Sequence, residues 1–583
     1  MNYAKANRLF AVGAKYSDKW EEFFSLISEK QMKDEILWQL LVRQYVCKTD
    51  DVDEGWRGEY WGKLMRGGVL IYSHTKDKEL YKVLTDAVLK ILATQEKNGR
   101  ISTYSQKREF IGWDMWSRKY IMLGLEYFYD ICSDVDLKNK IVKALFRHAD
   151  YIIERVGYGE GQIRIRETSN YHLGYNAFSI LQPIVKLYGL TKEDRYLSYA
   201  KQMVDAEFEE GGLFYYAKET DKYPFEYPVQ KVYEMTSCFE GLLEYYQIVG
   251  NDEYLKTAMS YADKILEKDF AIIGASGGHD EYFDNSTKTQ VIKTDINKFE
   301  TCVTVTLMRF FAVIYKLTGE KRYADAIERS FYNAYIGALT DSENLKGFAI
   351  PLFYSYSPVF QNERWVLMGG GKNLSSYAKF GCCIAIGAAG LGTVPTVGVC
   401  EDEDGITVAL YIEGEYKLSD SKLVVQTDYP HDGRVKLTLS SATNSKKLKL
   451  RVPDWCEKCS INGVFVENEG FAEVEILPNE SVVFDMEMPY KLHSSKDVNS
   501  EVEETFAITR GPIVLCADSC EADLYKQYDL ETVDGCAVGK YDGEKYSIAL
   551  KSGKTLVMRE YSKAGKCYYA PREISVWINC KKD

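Results

Sequence analysis

The chain has 583 residues, of which 46% are hydrophobic and 27% are charged, with 14 cysteines and a formal net charge of −13. This length exceeds what one hydrophobic core supports and predicts two to four domains. The negative charge argues against nucleic acid or an anionic membrane surface as the main partner. Because we see no N-terminal signal pattern, no long uninterrupted apolar run and no compact cysteine framework, we expect a soluble, cytoplasmic protein.

The first two-thirds of the chain contains an internal repeat. Each copy joins an apolar helix, a polar turn and a second, amphipathic helix. The copies align at Leu80, Leu137, Tyr196, Tyr254 and Tyr323. Two helices cannot bury their apolar faces alone, so repeats of this kind must stack against one another.

A helical pair at about 15–47 and a final helix at 382–393 complete six hairpins. The first helix of most hairpins is apolar nearly all round, as in IMLGLEYFY, so both of its faces need cover. This favours a closed ring over an open solenoid. We therefore predict an α+β multidomain protein whose residues 1–395 form an (α/α)6 barrel catalytic domain.

After about residue 395 the pattern changes to short alternating segments separated by turn residues, such as KLVVQTDY and RVKLTLSSA. This pattern is typical of antiparallel β-sandwiches. We predict one β-sandwich domain at residues 396–494 and a second at residues 495–583. Neither contains a catalytic constellation, although the sandwiches could support a homodimer.

The repeat register places one residue of each inner helix at a common level near the helix N-termini. These residues are Arg57, Asp114, Leu173, Lys231 and Glu300. Two positions further along the chain are Glu59, Trp116, Tyr175, Tyr233 and Cys302. A ring of polar and aromatic side chains at one mouth of an apolar barrel predicts a small-molecule site.

The longest repeat is enlarged in the loop before Glu300. This loop contains His279, Asp280, Glu281 and Asp284. An enlarged loop at the functional mouth of a barrel is where a catalytic carboxylate is expected.

Two cysteine-containing fragments open the fifth and the last inner helices: Glu300-Thr301-Cys302 and Gly381-Cys382-Cys383. In a closed ring of six hairpins these helices are neighbours, so three thiols and one carboxylate would meet. Such a set suits Zn²⁺, and helix N-termini favour thiolates. Two alternatives remain open: a cysteine pair that only packs while Glu300 caps its helix, and a purely structural zinc.

The motifs GWDMWSRKYIMLGLEYFYD, YEMTSCFEGLLEYYQIVG, ETC, GCC and ITRGPIVL together resemble glycoside hydrolase family 127, the β-L-arabinofuranosidase-like family. The resemblance covers essentially the whole chain. It implies an α/α toroid followed by β-sandwich domains. It also implies an exo-acting, retaining glycosidase that acts on an oligosaccharide or glycoside through a zinc-bound cysteine.

Carried onto this sequence, the resemblance makes Glu300, Cys302, Cys382 and Cys383 the zinc ligands and Cys382 the nucleophile. The family's general acid/base is a glutamate that follows a Gly-Gly stretch, and here Glu281, 19 residues before Glu300, matches it best. Asp280 and Asp284 are the alternatives for this role.

The pocket departs from the family pattern. The cysteine pair is followed by small apolar residues, and Tyr120, Ala177 and Tyr227 occupy or approach positions where some relatives have sugar-contacting histidines. The sugar could therefore be β-L-arabinofuranose, another pentose, a deoxy sugar or an acidic sugar. We predict that the substrate is bound by Arg57, Trp113, Asp114, Arg118, Lys119, Tyr120, Tyr227, Tyr233, Glu234 and His279.

Two other functions remain open. The first is a catalytically silent carbohydrate-binding toroid with a structural zinc. The second is a sugar lyase or epimerase that uses Tyr and His as bases, because α/α toroids host several chemistries. A Cys382→Ser variant separates the lyase from the glycosidase, since it would leave a lyase active. Thiol alkylation separates the silent toroid, which has no activity to lose.

Overall fold

The computed structural model describes residues 9–11, 13–50, 57–294, 298–340, 352–363, 372–373, 379–467, 470–566 and 572–581. Helices dominate up to about residue 397 and strands dominate after it. The predicted fold class, an (α/α)6 toroid followed by antiparallel β domains, is confirmed.

The α-helices are α1 (Asp18–Ile27), α2 (Glu35–Cys47), α3 (Gly58–Thr75), α4 (Lys78–Leu92), α5 (Asp114–Ile131), α6 (Val135–Ile153), α7 (Tyr175–Phe178), α8 (Leu181–Thr191), α9 (Asp194–Phe208), α10 (Leu213–Glu219), α11 (Val232–Val249), α12 (Asp252–Lys268), α13 (Ser286–Thr289), α14 (Thr301–Thr318), α15 (Lys321–Ser330), α16 (Ile336–Ala338), α17 (Cys382–Thr393) and α18 (Ser495–Val498). Short 3₁₀ segments are Gln106–Arg108, Ile165–Thr168, His172–Gly174, Pro224–Glu226 and Val394–Val397, and π segments are Ser28–Met32 and Phe331–Tyr335.

Six inner helical segments form the ring: α3, α5, α7 with α8, α11, α14 and α17. Each packs against the next, and α17 returns to pack against α3, which closes the ring. The outer layer contains α4, α6, α9, α12 and α15, each packed on the inner helix that precedes it, while α1 contacts α17. The closed arrangement was predicted because inner helices such as α14 are apolar on nearly every face.

The polar turn of the repeat has a local structural reason. Inner helices end with a left-handed residue at Lys76, Lys192, Gly250 and Gly319. The next helix then begins at a polar residue, and Asp77 accepts hydrogen bonds from the two backbone N–H groups that open α4. A left-handed residue followed by an N-cap reverses the chain direction sharply.

Glycines let the inner helices approach closely on both sides of α3. A Cβ atom at Gly62 would lie 1.9 Å from the backbone oxygen of Tyr120 on α5. On the other side, a Cβ atom at Gly67 would lie 2.8 Å from the Cβ of Ala388 on α17. The ring closes at this spacing because neither glycine carries a side chain.

Helix α14 is long and apolar enough to cross a membrane by length and composition alone. In the structure 78% of its apolar window is buried. Its composition is therefore explained by its place in the inner ring.

The strands are β1 (Leu9–Ala11), β2 (Gly13–Tyr16), β3 (Lys298–Glu300), β4 (Tyr356–Pro358), β5 (Asn362–Glu363), β6 (Lys372–Asn373), β7 (Lys379–Phe380), β8 (Val399–Asp402), β9 (Gly405–Val408), β10 (Gly414–Lys417), β11 (Lys422–Thr427), β12 (Arg434–Ser440), β13 (Lys446–Arg451), β14 (Cys459–Ile461), β15 (Val464–Val466), β16 (Phe471–Ile476), β17 (Ser481–Met486), β18 (Tyr490–Ser494), β19 (Thr505–Arg510), β20 (Ile513–Asp518), β21 (Thr532–Val533), β22 (Cys536–Ala537), β23 (Gly539–Tyr541), β24 (Tyr546–Ala549), β25 (Thr555–Glu560), β26 (Glu573–Ser575) and β27 (Ile578–Asn579).

The first sandwich consists of one sheet in the order β1-β8-β9-β13-β16 and a second in the order β15-β14-β17-β12-β11-β10-β2. Two features were not predicted. The N-terminal strands β1 and β2 belong to these sheets, and β9 pairs with β13 in parallel. Strands β10 to β12 lie in the other sheet between β9 and β13, and such a long crossover permits parallel pairing.

A further sheet is built around β18, β19, β20 and β25. This sheet is linked to the toroid region of the chain. Its strand β26 pairs with β20 and also with β5, which comes before α17 in the sequence. The sheet packs on both faces, and each face has its own cluster of buried apolar side chains.

A buried arginine joins the toroid to the first sandwich. Arg451, on β13, is fully buried and forms ion pairs with Asp325 and Glu328 of α15. Glu328 also accepts a hydrogen bond from Tyr429, 2.6 Å away. A buried arginine is stable only when its donors are satisfied, so this contact fixes how the two layers meet.

We expect a Gly62→Ala variant to lower the melting temperature measurably, because the added Cβ overlaps the Tyr120 carbonyl and overpacking costs about 1–3 kcal/mol or more. The matched control is Gly189→Ala in α8, where a Cβ atom meets only Ile248, at 3.9 Å. Since alanine favours helix over glycine by up to about 1 kcal/mol, the control should keep or raise the melting temperature. Equal melting temperatures for both variants would contradict the close approach of α3 and α5.

Candidate active site

Four potential ligands lie at the adjoining N-termini of α14 and α17. Cys382 and Cys383 are the first two residues of α17, Cys302 is the second residue of α14, and Glu300 is its N-cap. Strand β3, which pairs with β4, leads directly into Glu300. Because α14 and α17 are neighbours in the ring, fragments that are 80 residues apart in sequence meet at one mouth of the barrel.

The ligand atoms of these four residues all lie within 4.8 Å of one another. The Glu300 Oε2 atom is 3.4 Å from the Cys302 Sγ and 3.7 Å from the Cys383 Sγ, while the Sγ atoms of Cys382 and Cys383 are 3.9 Å apart. A tetrahedral metal with sulfur ligands at about 2.3 Å requires sulfur separations of roughly 3.8 Å. The donor set therefore fits a single metal ion.

The electrostatics of this group also favour a cation. Burial raises the pKa of Glu300, and the neighbouring Glu281 and Cys382 raise it further. Burial likewise raises the pKa of the Cys302 thiol. Hydrogen bonds from Cys302 and Cys382 lower the pKa of Cys383 to about 6. Glu300 and the three thiols are acidic groups that lie close together where water is excluded, so they cannot all carry a negative charge at once. A bound divalent cation would allow all of them to ionise.

Glu281 lies directly against this group. The Cys302 thiol donates to Oε1 of Glu281 at 2.7 Å, and the Lys231 Nζ lies 2.8 Å from its Oε2. Burial acts to raise the pKa of Glu281, but Lys231 and Cys302 outweigh it and lower that pKa to about 2. Both Asp280 and Glu281 have left-handed backbones, with φ of 48° and 63°. Such strained residues persist where the surrounding structure holds them, often at functional sites.

The floor of the mouth is a buried polar and aromatic layer. Glu59 accepts a hydrogen bond from the Trp116 indole N–H and lies 3.1 Å from the Lys63 Nζ. The Lys63 Nζ lies 4.2 Å from the centre of the Tyr233 ring, and the hydroxyls of Tyr120 and Tyr233 are 2.7 Å apart. Burial raises the pKa of Glu59 to about 7 although Lys63 opposes the shift, and the charge of Cys382 contributes to it.

Some of the predicted substrate-binding residues lie at this mouth. Tyr120 and Tyr233 belong to the floor, and the Lys119 Nζ lies 4.3 Å from the centre of the Trp116 ring. Trp113 packs edge-on against Trp116. Glu234 faces Lys231 and Glu281 electrostatically, and burial raises its pKa to about 7.

Other predicted residues already have partners away from the floor. Asp114 and Arg118 form a buried ion pair, and Arg118 also binds Glu109. Arg57 pairs with Asp50 at 2.9 Å. These contacts give Asp114, Arg118 and Arg57 charged partners without a ligand, while the Nη1 atom of Arg118 is buried without a hydrogen-bond partner among the described residues.

Two more lie at the edges of the region. Tyr227 packs against Tyr216, with ring centres 5.3 Å apart. His279 lies on the rim, where 49% of its side chain is exposed. The substrate-binding roles of all ten residues stay predictions.

Several residues near the mouth are not among the predicted site residues. Lys63 could have been found, because it lies four residues after Glu59 and therefore on the same face of α3. Tyr171, His172 and Tyr282 lie in irregular loops, where no periodicity reports which way a side chain points.

The structure combines a helical toroid, which has carboxylates, thiols and aromatic rings at one mouth, with antiparallel β domains that follow it. Together with the sequence relationships, this architecture identifies the class of protein as a glycoside hydrolase. Residues 5–395 match the GH127 β-L-arabinofuranosidase catalytic domain, and residues 405–483 match the GH127 middle domain. The chain therefore belongs to glycoside hydrolase family 127.

A curated relative is the non-reducing end β-L-arabinofuranosidase of Bifidobacterium longum subsp. longum, 23% identical over 313 residues. The matched region covers 51% of this chain and 47% of that protein, about half of its length.

Two solved structures share the whole fold. A GH127 β-arabinofuranosidase gives a TM-score of 0.74 at 17% identity and covers 100% of this chain and 99% of its own. A GH127 β-L-arabinofuranosidase from Geobacillus stearothermophilus T6 gives 0.71 at 18% identity and covers 98% of this chain and 100% of its own.

We expect the purified protein to bind about one divalent metal ion per chain, because its four potential donors are already assembled. The Cys383→Ala variant should lose that ion, because it removes one of the donors. Elemental mass spectrometry measures the metal content. The control is Cys516→Ala, since Cys516 is equally buried but lies on β20, away from the group. Equal metal content in both variants would contradict a site at the α14 and α17 N-termini.

Proposed function

We propose that this chain is a retaining glycoside hydrolase that releases a terminal sugar from an oligosaccharide or glycoside. Cys382 acts as the nucleophile, Glu281 as the general acid and base, and Zn²⁺ is the metal. One observation carries the proposal: the carboxylate of Glu281, which is partly buried, lies 2.7 Å from a thiol of a four-donor candidate metal group at a barrel mouth.

Glu300, Cys302, Cys382 and Cys383 would hold the ion. A bound Zn²⁺ supplies positive charge that keeps the cysteine sulfurs ionised at neutral pH.

Among the three cysteines of the group, accessibility selects the nucleophile. Cys302 and Cys383 are buried, whereas Cys382 is partly exposed. A sugar entering the mouth can therefore reach the sulfur of Cys382, while the other two remain behind it. The thiolate, rather than the thiol, is the attacking form.

The reaction is a double displacement. The Cys382 sulfur forms a bond to the anomeric carbon while the glycosidic carbon–oxygen bond breaks, and Glu281 gives its proton to the leaving oxygen. Glu281 then takes a proton from a water molecule, whose oxygen attacks the anomeric carbon and releases the sulfur. Two inversions leave the anomeric configuration unchanged, as in glycosidases with a carboxylate nucleophile.

Lys231 holds Glu281 as a carboxylate in the free protein. The acid form therefore has to arise once the substrate is bound and water is excluded from the mouth, because desolvation disfavours the charged carboxylate. Lys231 is positioned to orient the carboxyl group throughout, since its Nζ also donates to the Asp280 carbonyl oxygen at 2.7 Å.

For the released sugar, we propose a β-L-arabinofuranoside or a related neutral pentose or deoxy sugar. The arabinofuranosidase relative supports the first choice. An acidic sugar is less favoured, because the cations nearest the reacting groups are already paired: Lys63 with Glu59 and Lys231 with Glu281. A carboxylated substrate would have to break one of these buried pairs.

We expect Cys382→Ser to lose turnover by at least about a thousandfold, because a serine hydroxyl stays un-ionised where a thiolate attacks. The measurement is kcat/KM on a panel of aryl and methyl glycosides, with Cys516→Ser as the control. Intact mass spectrometry should find a sugar-mass adduct on the wild-type protein that the Cys382→Ser variant lacks. An active Cys382→Ser variant would favour a lyase or epimerase instead. An inactive wild type that still binds sugar and metal would favour a silent binding toroid, whose ion serves structure alone.

Glu281→Gln should lower kcat by about a hundredfold to ten-thousandfold, because general acid and base catalysis both disappear. The control is Asp280→Asn, since the Asp280 side chain is 74% exposed.

Proton NMR of the first-formed product should give the same anomer as the substrate. Formation of the opposite anomer would exclude the double displacement.

A further inference from the structure

A row of aromatic rings leads away from the reacting groups. Tyr282 follows Glu281 directly in the chain, and its ring centre lies 6.1 Å from that of His172. His172 is 5.9 Å from Trp113, and Trp113 stacks on Tyr171 at 5.4 Å with an interplanar angle of 24°. Sugar rings pack on such aromatic surfaces through their apolar faces while their hydroxyls seek polar groups.

The row ends at a cavity that the catalytic residues do not line. Its volume is about 310 Å³, and Tyr104, Arg108, Ile111, Gly112, Asn170 and Tyr171 are among its lining residues. The walls of the cavity are aromatic and aliphatic. Hydrogen-bond donors and acceptors also line it, and they include positively and negatively charged side chains. That mixture suits a neutral ligand with many hydroxyls better than an ionic one.

The two loops that form this cavity are held in uncommon backbone conformations. His172 and Leu173 both have φ of 50°, and Phe110 has φ of 58°. Hydrogen bonds fix the loops: the Arg166 guanidinium donates to the Leu173 carbonyl at 2.8 Å, and the Asn176 amide donates to the Gly112 carbonyl at 3.1 Å. Strain that is held in place by such contacts is typical of binding surfaces.

The position of Glu281 indicates which part of the substrate would lie along this row of rings. A general acid protonates the leaving oxygen, so the part of the substrate that leaves lies on the Glu281 side of the reacting sugar. Tyr282 and His172 extend from that side towards Trp113 and Tyr171. The ring of Trp113 also contacts Trp116, whose indole N–H donates to Glu59, so the row is continuous with the floor of the mouth.

We propose that the cavity at Tyr171 is a subsite for a neutral sugar unit on the leaving-group side of the substrate. The natural substrate is then an oligosaccharide that continues past the cleaved bond. It is bound through stacking on the Tyr171 ring, which Trp113 supports by stacking on it, and through hydroxyl contacts to Arg108 and Asn170. The inference rests on the proposed function for its orientation, because Glu281 defines which side is the leaving side.

The test compares a short and a long substrate: methyl β-L-arabinofuranoside and a β-linked arabinofuranosyl trisaccharide. The ratio of kcat/KM for the trisaccharide to that for the methyl glycoside should fall about tenfold in Tyr171→Ala, since an aromatic contact contributes about 0.5–1.5 kcal/mol beyond its buried area. Tyr171→Phe keeps the ring and should restore most of the ratio.

Asn170→Trp is a second variant, which fills the cavity from an exposed position and avoids a packing defect. It should lower the same ratio at least as much as Tyr171→Ala. The control is Tyr525→Ala, an exposed tyrosine in the C-terminal β region with 59% exposure, which should leave the ratio unchanged. A wild-type enzyme that cleaves both substrates while no variant changes the ratio would overturn the subsite and leave the hydrolase intact.

Titration calorimetry decides the subsite independently of turnover. The trisaccharide should bind Cys382→Ser more tightly than the methyl glycoside does, and Asn170→Trp added to that background should remove the difference. If wild type cleaves neither substrate, the proposed function fails for this sugar while the calorimetry still reports on the cavity. Equal binding of the trisaccharide with and without Asn170→Trp would refute the subsite.

Discussion

The structure depends on the closure of the helical ring by α17. This helix comes last in the toroid, yet it packs between α14 and α3, the fifth and first inner segments. Its contact with α3 needs small residues, and a Cβ atom at Gly392 would lie 2.5 Å from the Cβ of Leu70. Because α17 begins with Cys382 and Cys383, the packing that closes the ring also delivers two of the four metal donors. Fold and site therefore share one constraint.

Contacts outside the inner helices also hold the residues of the candidate metal site in place. Strand β4 pairs with β3 and aligns Glu300 with Tyr356, so the carboxylate donor is fixed by a strand as well as by the helix that follows. The Ser355 carbonyl accepts the Thr301 N–H at 2.9 Å and lies 3.7 Å from the Cys383 sulfur. On the other side, Arg451 connects α15 to the first sandwich. The short sheet of β3 and β4 thus helps to hold Glu300 at the N-terminus of α14, and the first sandwich contacts the outer helix α15 that follows it.

Two of the cations at the mouth are paired with carboxylates, whereas the Lys119 Nζ is buried without a hydrogen-bond partner in the described part of the chain. Lys63 faces Glu59 and Lys231 faces Glu281, while the thiols and Glu300 lie between these pairs. A buried charge without a partner would cost several kcal/mol, so each pair permits a charged group beside the reacting atoms. Of the acidic groups at the mouth, the four candidate metal donors therefore have the least positive charge beside them. This is why the chemistry of the donor set and its electrostatics both favour a cation there.

Much of this protein follows from local patterns in its sequence. The repeat of an apolar helix, a polar turn and an amphipathic helix, together with the helices at 15–47 and 382–393, predicted six hairpins. Apolar faces predicted closure because they need cover on every side. The same register placed Glu300 and Cys302 at one mouth, and neighbouring helices in a closed ring brought Cys382 and Cys383 to them. These features depend on helical period and on ring order, both of which can be read from one chain.

The tertiary structure decided what periodicity does not encode. Asp114 was predicted to lie at the level of the mouth and Arg118 to bind substrate, but the two pair with each other, and Arg118 also pairs with Glu109. The loops that carry Glu281, Tyr282 and His172 have no repeating pattern, so their distances from the thiols and from Trp113 appear only when the chain is folded. The sequence by itself determined the ring and the four residues of its candidate metal site, because both follow from helical period and ring order. Tertiary packing decided which side chains surround that site, because loop conformation and side-chain pairing have no periodic pattern.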